Sequence, residues 1–163
     1  MAWSRLKILF RSLLSNRSKN SANEPTLAPE IAHAEDFTRF IFTDSHFAAT
    51  TGRVKPPALM PLFSSAKNRY ETSTHRIREL ASDQIWQLGY SHVENAQQRR
   101  NIKARGTGRF ELATSQGLAL DVNGPPYPRH VDIIGWSESD KSMRLMQATE
   151  IADKLLLEVD PRS

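Results

Sequence analysis

The apolar positions open on a stripe. In residues 3–15 (WSRLKILFRSLLS), Trp3, Leu6, Leu9, Phe10, Leu13 and Leu14 recur at three- and four-residue spacing, with Arg5, Lys7 and Arg11 off it. That spacing predicts an amphipathic helix, with Ile8 the one apolar residue outside its face. Residues 16–30 are polar with two prolines and read as a linker, so residues 1–30 form an arm and 31–163 a single folded domain. Within that domain FTRFIF, inside 36–47, is aromatic and β-branched and reads as a strand or a buried helical turn. Pro56, Pro57 and Pro61 then break the chain around an apolar ALM, and Tyr70–Ile77 has strand propensity with partial alternation.

Ser82 begins the clearest internal helix. Asp83 and Gln84 fall in its first turn, and Ile85, Trp86, Leu88 and His92–Val93 form its apolar side. Residues 103–115 (KARGTGRFELATS) read as a strand with a glycine-permitted bulge or turn, which pairs as a hairpin with LALDV at 118–122. NGPPYP is a turn-rich connector, HVDIIGW at 130–136 a buried strand, and 137–157 a final helix. That helix sets Met143, Met146, Ile151, Leu155 and Leu156 among its apolar positions. This order is α+β, and the short strands predict a small, largely antiparallel sheet with helices on one face.

Composition removes several classes of function. The chain has 163 residues and no cysteine, which excludes disulfides, zinc–thiolate sites and thiol nucleophiles. No segment reaches the roughly 20 apolar residues that span a bilayer, and residues 1–30 lack the continuous apolar core and cleavage site of a secretory signal. The five histidines (His33, His46, His75, His92 and His130) show no pair at i, i+4 spacing, so no metal site is predicted. No G-x-S-x-G elbow is present, which disfavours a serine hydrolase. The residues name no cofactor.

Charge is unevenly placed. Five of the 22 Lys and Arg lie in residues 1–23, where no acid occurs, leaving 17 against 18 Asp and Glu in the rest. The isoelectric point near 9.6 therefore reflects the arm. An acid-poor amphipathic arm of this kind suits an anionic membrane surface, docking on its own domain or, in a eukaryotic source, mitochondrial import. Within the near-neutral body, Lys67–Arg109 holds nine basic and four acidic residues. Arg76, Arg78, Arg99, Arg100, Lys103, Arg105 and Arg109 are candidates for a phosphate-facing patch, or for ordinary solvated helix ends and turns. Arg105-Gly-Thr-Gly lacks the spacing of a phosphate-binding loop. At the mouth of the 130–136 strand, His130 and Asp132 share a face by alternation, with Arg129 beside them; they read as a polar strand start that hydrogen-bonds a neighbouring loop, or as a pair that cooperates in acid–base chemistry.

Several pieces spell one set: RFIFTDSHF (39–47), VKPPALMP (54–61), STHRI (73–77), IWQLG (85–89), KARGTG (103–108) and RHVDIIGW (129–136). Together they resemble a group of small uncharacterised bacterial proteins carried among accessory or mobile genes. The resemblance covers most of residues 37–157 and excludes the arm. It implies a bacterial cytoplasmic setting and a membrane or self-docking role for the arm, and it carries over no catalytic residue. The expectation is an accessory binding protein for a phosphate-bearing partner, nucleic acid foremost, through Lys55, Arg76, Lys103, Arg105 and Arg129. Two alternatives stand beside it: a phosphoester- or nucleotide-processing enzyme with His130 as acid/base and Asp132 as its partner, and a membrane-peripheral adaptor anchored by residues 3–15.

Overall fold

The computed structural model describes residues 34–98, 100–111, 117–122 and 129–163. The expected amphipathic helix at 3–15 and the linker at 16–30 lie outside the described residues. Among those described, the fold is α+β, built on an antiparallel sheet. All of FTRFIF but Phe42 falls in a strand, β1 (Ala34–Ile41). Two short strands, β2 (Phe47–Ala48) and β3 (Arg53–Val54), pair with each other, and β4 (Leu62–Ser64) pairs with β5 (Arg69–Arg76). The remaining strands are β6 (Ala104–Glu111), β7 (Ala119–Asp121), β8 (His130–Ile134) and β9 (Leu156–Val159). In space they run β7-β8-β5-β1-β6-β9, with β4 attached to β5 off that path.

Two sequence expectations change here. The 103–115 and 118–122 segments do not form a hairpin: β7 pairs with β8, and β6 lies between β1 and β9. The glycines of RGTG make no turn either; Gly106 and Gly108 sit inside continuous β6. A Cβ at Gly106 would meet Leu155 Cδ1 and Val54 Cγ2, both at 2.8 Å, and one at Gly108 would meet Leu155 Cδ2 at 2.5 Å. The glycines let the chain at Leu155 lie flat on the sheet.

The expected 137–157 helix is shorter, α2 (Lys141–Ala152) in chain order, and its last predicted turn is β9 instead. Asp140 starts it by accepting hydrogen bonds from the backbone N–H groups of Ser142 and Met143. Ala148, Ile151 and Ala152 pack on the sheet, whereas Met143 and Met146 face solvent. Leu155 then drops onto the glycine row and Leu156–Val159 completes the ladder with β6. Tertiary pairing outweighs the helical propensity of LLLE at this point.

The other helix, α1 (Ser82–Leu88), continues through a π-helical turn at Gly89–Val93 into Glu94–Ala96. The Gln84 side chain accepts from the Ala81 backbone N–H at its start. Strand alternation separates the two cores. Phe37, Ile41, Phe110, Val131 and Ile133 pack with α2 and with Ala58 and Leu59. Phe40, on the opposite parity of β1, packs with Ile85, Trp86, Val93 and Ile102. The helices thus cover both faces of the sheet, not one. Gly89 is required at the second contact, since a Cβ there would come within 2.6 Å of the Phe40 ring.

Candidate functional site: a cationic cleft between β1, β4 and β5

The register of β1 against β5 is short. Phe37 pairs with Arg76 and Thr38 with His75, and the ladder then stops. Continued by one more pair, it would set Arg39 opposite Thr74. Arg39 turns inward instead: its Nη1 donates to Ser73 O at 2.6 Å and its Nε to Ala58 O at 3.0 Å. The guanidinium acts as a wedge that meets main-chain acceptors while it parts the strands. At its other end β5 pairs with β4 through Arg69, Tyr70 and Glu71. Between the two ladders opens a cleft of about 340 Å³. Phe40, Thr72, His75 and Val93 are buried at its floor; Arg39, Phe42, Met60, Ser64, Glu71 and Ser73 form walls; Leu62, Phe63, Gln97 and Arg100 are its exposed lip.

Behind the Ser73–His75 wall lies a polar network on the same face. Asp132 of β8 is 1 % exposed and sits opposite Ser73. It accepts from Lys67 Nζ at 2.8 Å and from Ser73 Oγ at 3.2 Å, and its Oδ1 is 3.4 Å from His130 Nε2. Lys67 also meets Glu71 at 3.0 Å, and Arg69 pairs with Glu71 and Asp121. The hydrogen bond to Asp132 is the main reason that the Lys67 ammonium holds its proton more tightly than usual. His75 and His130 pack edge to face with ring centroids 5.6 Å apart. Burial, reinforced by the nearby His130, Arg39 and His92, pushes the His75 imidazole well below its ordinary titration range. At neutral pH it is uncharged. His46 is shifted in the same direction, again by burial and then by Arg39.

His130 and Asp132, which alternation placed on one face, are therefore within reach of each other. Both are buried, and neither lines the cleft; Ser73 and His75 stand between them and it. The five predicted phosphate ligands do not form one surface. Arg76 and Arg129 are neighbours at the end of β5, where Arg76 N–H donates to Arg129 O. There Arg76 and Arg78 both donate to Glu35, which is fully buried, and Arg129 Nη1 donates to Arg78 O. Arg105 lies two strands away on the opposite face, 1 % exposed. It bonds Glu158 at 2.6 Å and stacks over Trp86. Lys103 is half-buried just before β6, and Lys55 is exposed beside His46, whose carbonyl accepts its backbone N–H.

The physical reason is pairing. The local excess of cations at 67–109 finds acids from remote parts of the chain: Glu35, Asp36, Asp121, Asp132 and Glu158. Of the candidate patch, Arg99 lies outside the described residues, and among the rest Arg100 alone lines the cleft. Arg39, Ser73 and His75 line it too, and only Arg39 has a trace in sequence: a charge between Phe37 and Ile41 at their parity in β1. No protein-family model, curated protein or solved structure matches the chain. Among the described residues, no group of three or more His, Asp or Glu is placed to hold a metal ion, and no helix is long and apolar enough to cross a membrane.

Proposed function

We propose that the protein is an accessory binding protein that recognises a phosphate-bearing partner, and that the phosphate is held in the cleft between β1, β4 and β5. The observation that carries this reading is the pairing of Arg39 at the cleft wall with Arg100 at its lip. Two of the contacts that set the position of the Arg39 guanidinium are hydrogen bonds to the Ala58 and Ser73 carbonyls. Guanidinium groups are suited to phosphate because they present planar, paired donors. The one carboxylate on the wall, Glu71, already faces Lys67 and Arg69. Nucleic acid is the partner class we favour, reached through an exposed phosphate and not through a broad basic face.

The test is binding of inorganic pyrophosphate and of short oligonucleotides by the full-length protein across a salt series. Binding that weakens with salt, and that drops about tenfold or more in Arg100→Ala, is expected from the loss of one charge-assisted contact. Absence of binding to any phosphate compound at low salt overturns the reading. A second reading, an enzyme acting on a phosphoester, draws on the 3.4 Å contact between His130 and Asp132. It requires turnover that His130→Gln removes while the protein stays folded.

A further inference from the structure

The cleft is larger than a phosphate needs. Its roughly 340 Å³ falls in the range, about 300–1,000 Å³, of sites that take whole small molecules. On the face of the sheet that α1 covers it has two polar walls. β4 and β5 supply Ser64, Glu71 and Ser73, and the chain that leaves the helical turns after α1 supplies Gln97 and Arg100. Register and alternation put the first wall on one side of the sheet: Ser64 pairs with Arg69, which shares its parity with Glu71, Ser73 and His75. His75 in turn meets the Phe40 ring of the second core, 5.3 Å between centroids.

Glu71 has bonding capacity to spare. Lys67 and Arg69 both meet its Oε2, at 3.0 and 3.4 Å. Its Oε1 accepts from no described residue, although the side chain is only 18 % exposed. A half-buried carboxylate oxygen on a cleft wall gains most from a donor that a ligand brings. A hydroxyl needs one acceptor, and Oε1 offers one. An ammonium brings three donors and a full charge to a carboxylate that two cations already bind. The Ser64 hydroxyl and the Gln97 amide line the same cleft and both donate and accept, which suits further hydroxyl groups. A phosphate is repelled at Glu71 and attracted at Arg100, on the other wall.

We infer, resting on the phosphate reading above, that the ligand is a phosphorylated sugar, free or at the end of an RNA strand, with its phosphate at Arg100 and a sugar hydroxyl donated to Glu71 Oε1. In a nucleic acid that hydroxyl is the 2′-OH, the group by which a protein tells RNA from DNA. DNA is held by its phosphate alone.

The experiment is calorimetric titration of the full-length protein with ethyl phosphate, phosphoethanolamine, ribose 5-phosphate, and 5′-phosphorylated RNA and DNA strands of one sequence. Ribose 5-phosphate is expected to bind about tenfold or more tightly than ethyl phosphate, the gain of a hydrogen bond to a charged acceptor, and RNA more tightly than DNA. Glu71→Ala brings the first ratio to about one and leaves ethyl phosphate binding no weaker. Equal weakening of both ligands in that variant overturns the role of Glu71. Circular dichroism checks the fold. Should Glu71→Ala unfold, Ser64→Ala, which leaves the Glu71 ion pairs in place, is expected to narrow the same ratio, and an unchanged ratio counts against the site. An RNA strand that binds more tightly than ribose 5-phosphate identifies the strand end as the source; equal affinity identifies the free sugar phosphate. Ethyl phosphate or phosphoethanolamine binding as tightly as ribose 5-phosphate overturns the sugar inference and leaves the phosphate reading standing. Failure of every phosphate compound overturns both.

Discussion

Arg39 is the residue on which the site turns. Where the β1–β5 ladder ends, its side chain donates two hydrogen bonds to main chain, and the cleft lies beside it. Arg39→Leu leaves the Ala58 and Ser73 carbonyls without those donors, so it is expected to cost about 1–3 kcal/mol in denaturant unfolding and to abolish phosphate binding. Glu35 has the opposite character. It is fully buried and accepts from Arg76 and Arg78, so Glu35→Ala strands buried positive charge, and a loss of about 3–5 kcal/mol is expected in the same measurement. His75 sets a pH dependence. Its folded-state proton affinity is depressed, so the unfolded chain takes up the proton first as pH falls. The stability it contributes is complete above the unfolded value near 6.5 and is lost below it, by up to about 1.4 kcal/mol in the first pH unit. Urea midpoints at pH 7.5 and 5.5 check this, and His75→Gln is expected to flatten the difference. A wild-type midpoint that rises on acidification would contradict the assignment.

At the scale of elements, alternation and propensity located most of the framework. β5, β6 and β8 overlap segments whose pattern reads as strand, β1 overlaps one that reads as strand or buried helical turn, and α1 follows its apolar side and its first-turn residues. What the pattern misplaced were partners and ends. β7 looks like the second arm of a hairpin with β6 because it comes next in sequence, but its register belongs to β8. The C-terminal helix stops at Ala152 because Leu155 is drawn onto Gly106 and Gly108, a contact between residues about fifty positions apart. Neither fact has a local signal. Gly106→Ala places a methyl against Leu155 and Val54, and a loss of about 1–3 kcal/mol in thermal or denaturant unfolding is expected from overpacking. The C-terminal residues after β9 are fastened to the helical turns that follow α1 by a similar long-range device. Arg162 lies 3.5 Å from the Tyr90 ring centroid and bonds Glu94, while Asp160 accepts from Tyr90 Oη and Arg162. Burial alone would raise the Asp160 carboxyl, but the Arg162 and Tyr90 donors hold it below its usual range.

For the whole molecule, the distribution of charge carries the functional reading. Counted along the sequence, residues 67–109 look like a basic surface. Folded, most of those cations meet acids supplied by β1, β7, β8 and β9, because strand pairing joins segments of opposite charge balance. The candidate site was therefore only partly legible: His130 and Asp132 are two apart on one strand and their proximity follows from alternation, whereas the cleft draws on residues from 39 to 100. Its cations, Arg39 and Arg100, gain meaning only once β1 and β5 have parted.

The most direct test is a titration of isotope-labelled full-length protein with inorganic pyrophosphate, followed by amide chemical shifts. Saturable changes centred on Arg39, Ser73, Gln97 and Arg100 are the predicted result. Changes confined to Arg76, Arg78 and Arg129, or none at any concentration, would contradict the assignment of the cleft as the binding site.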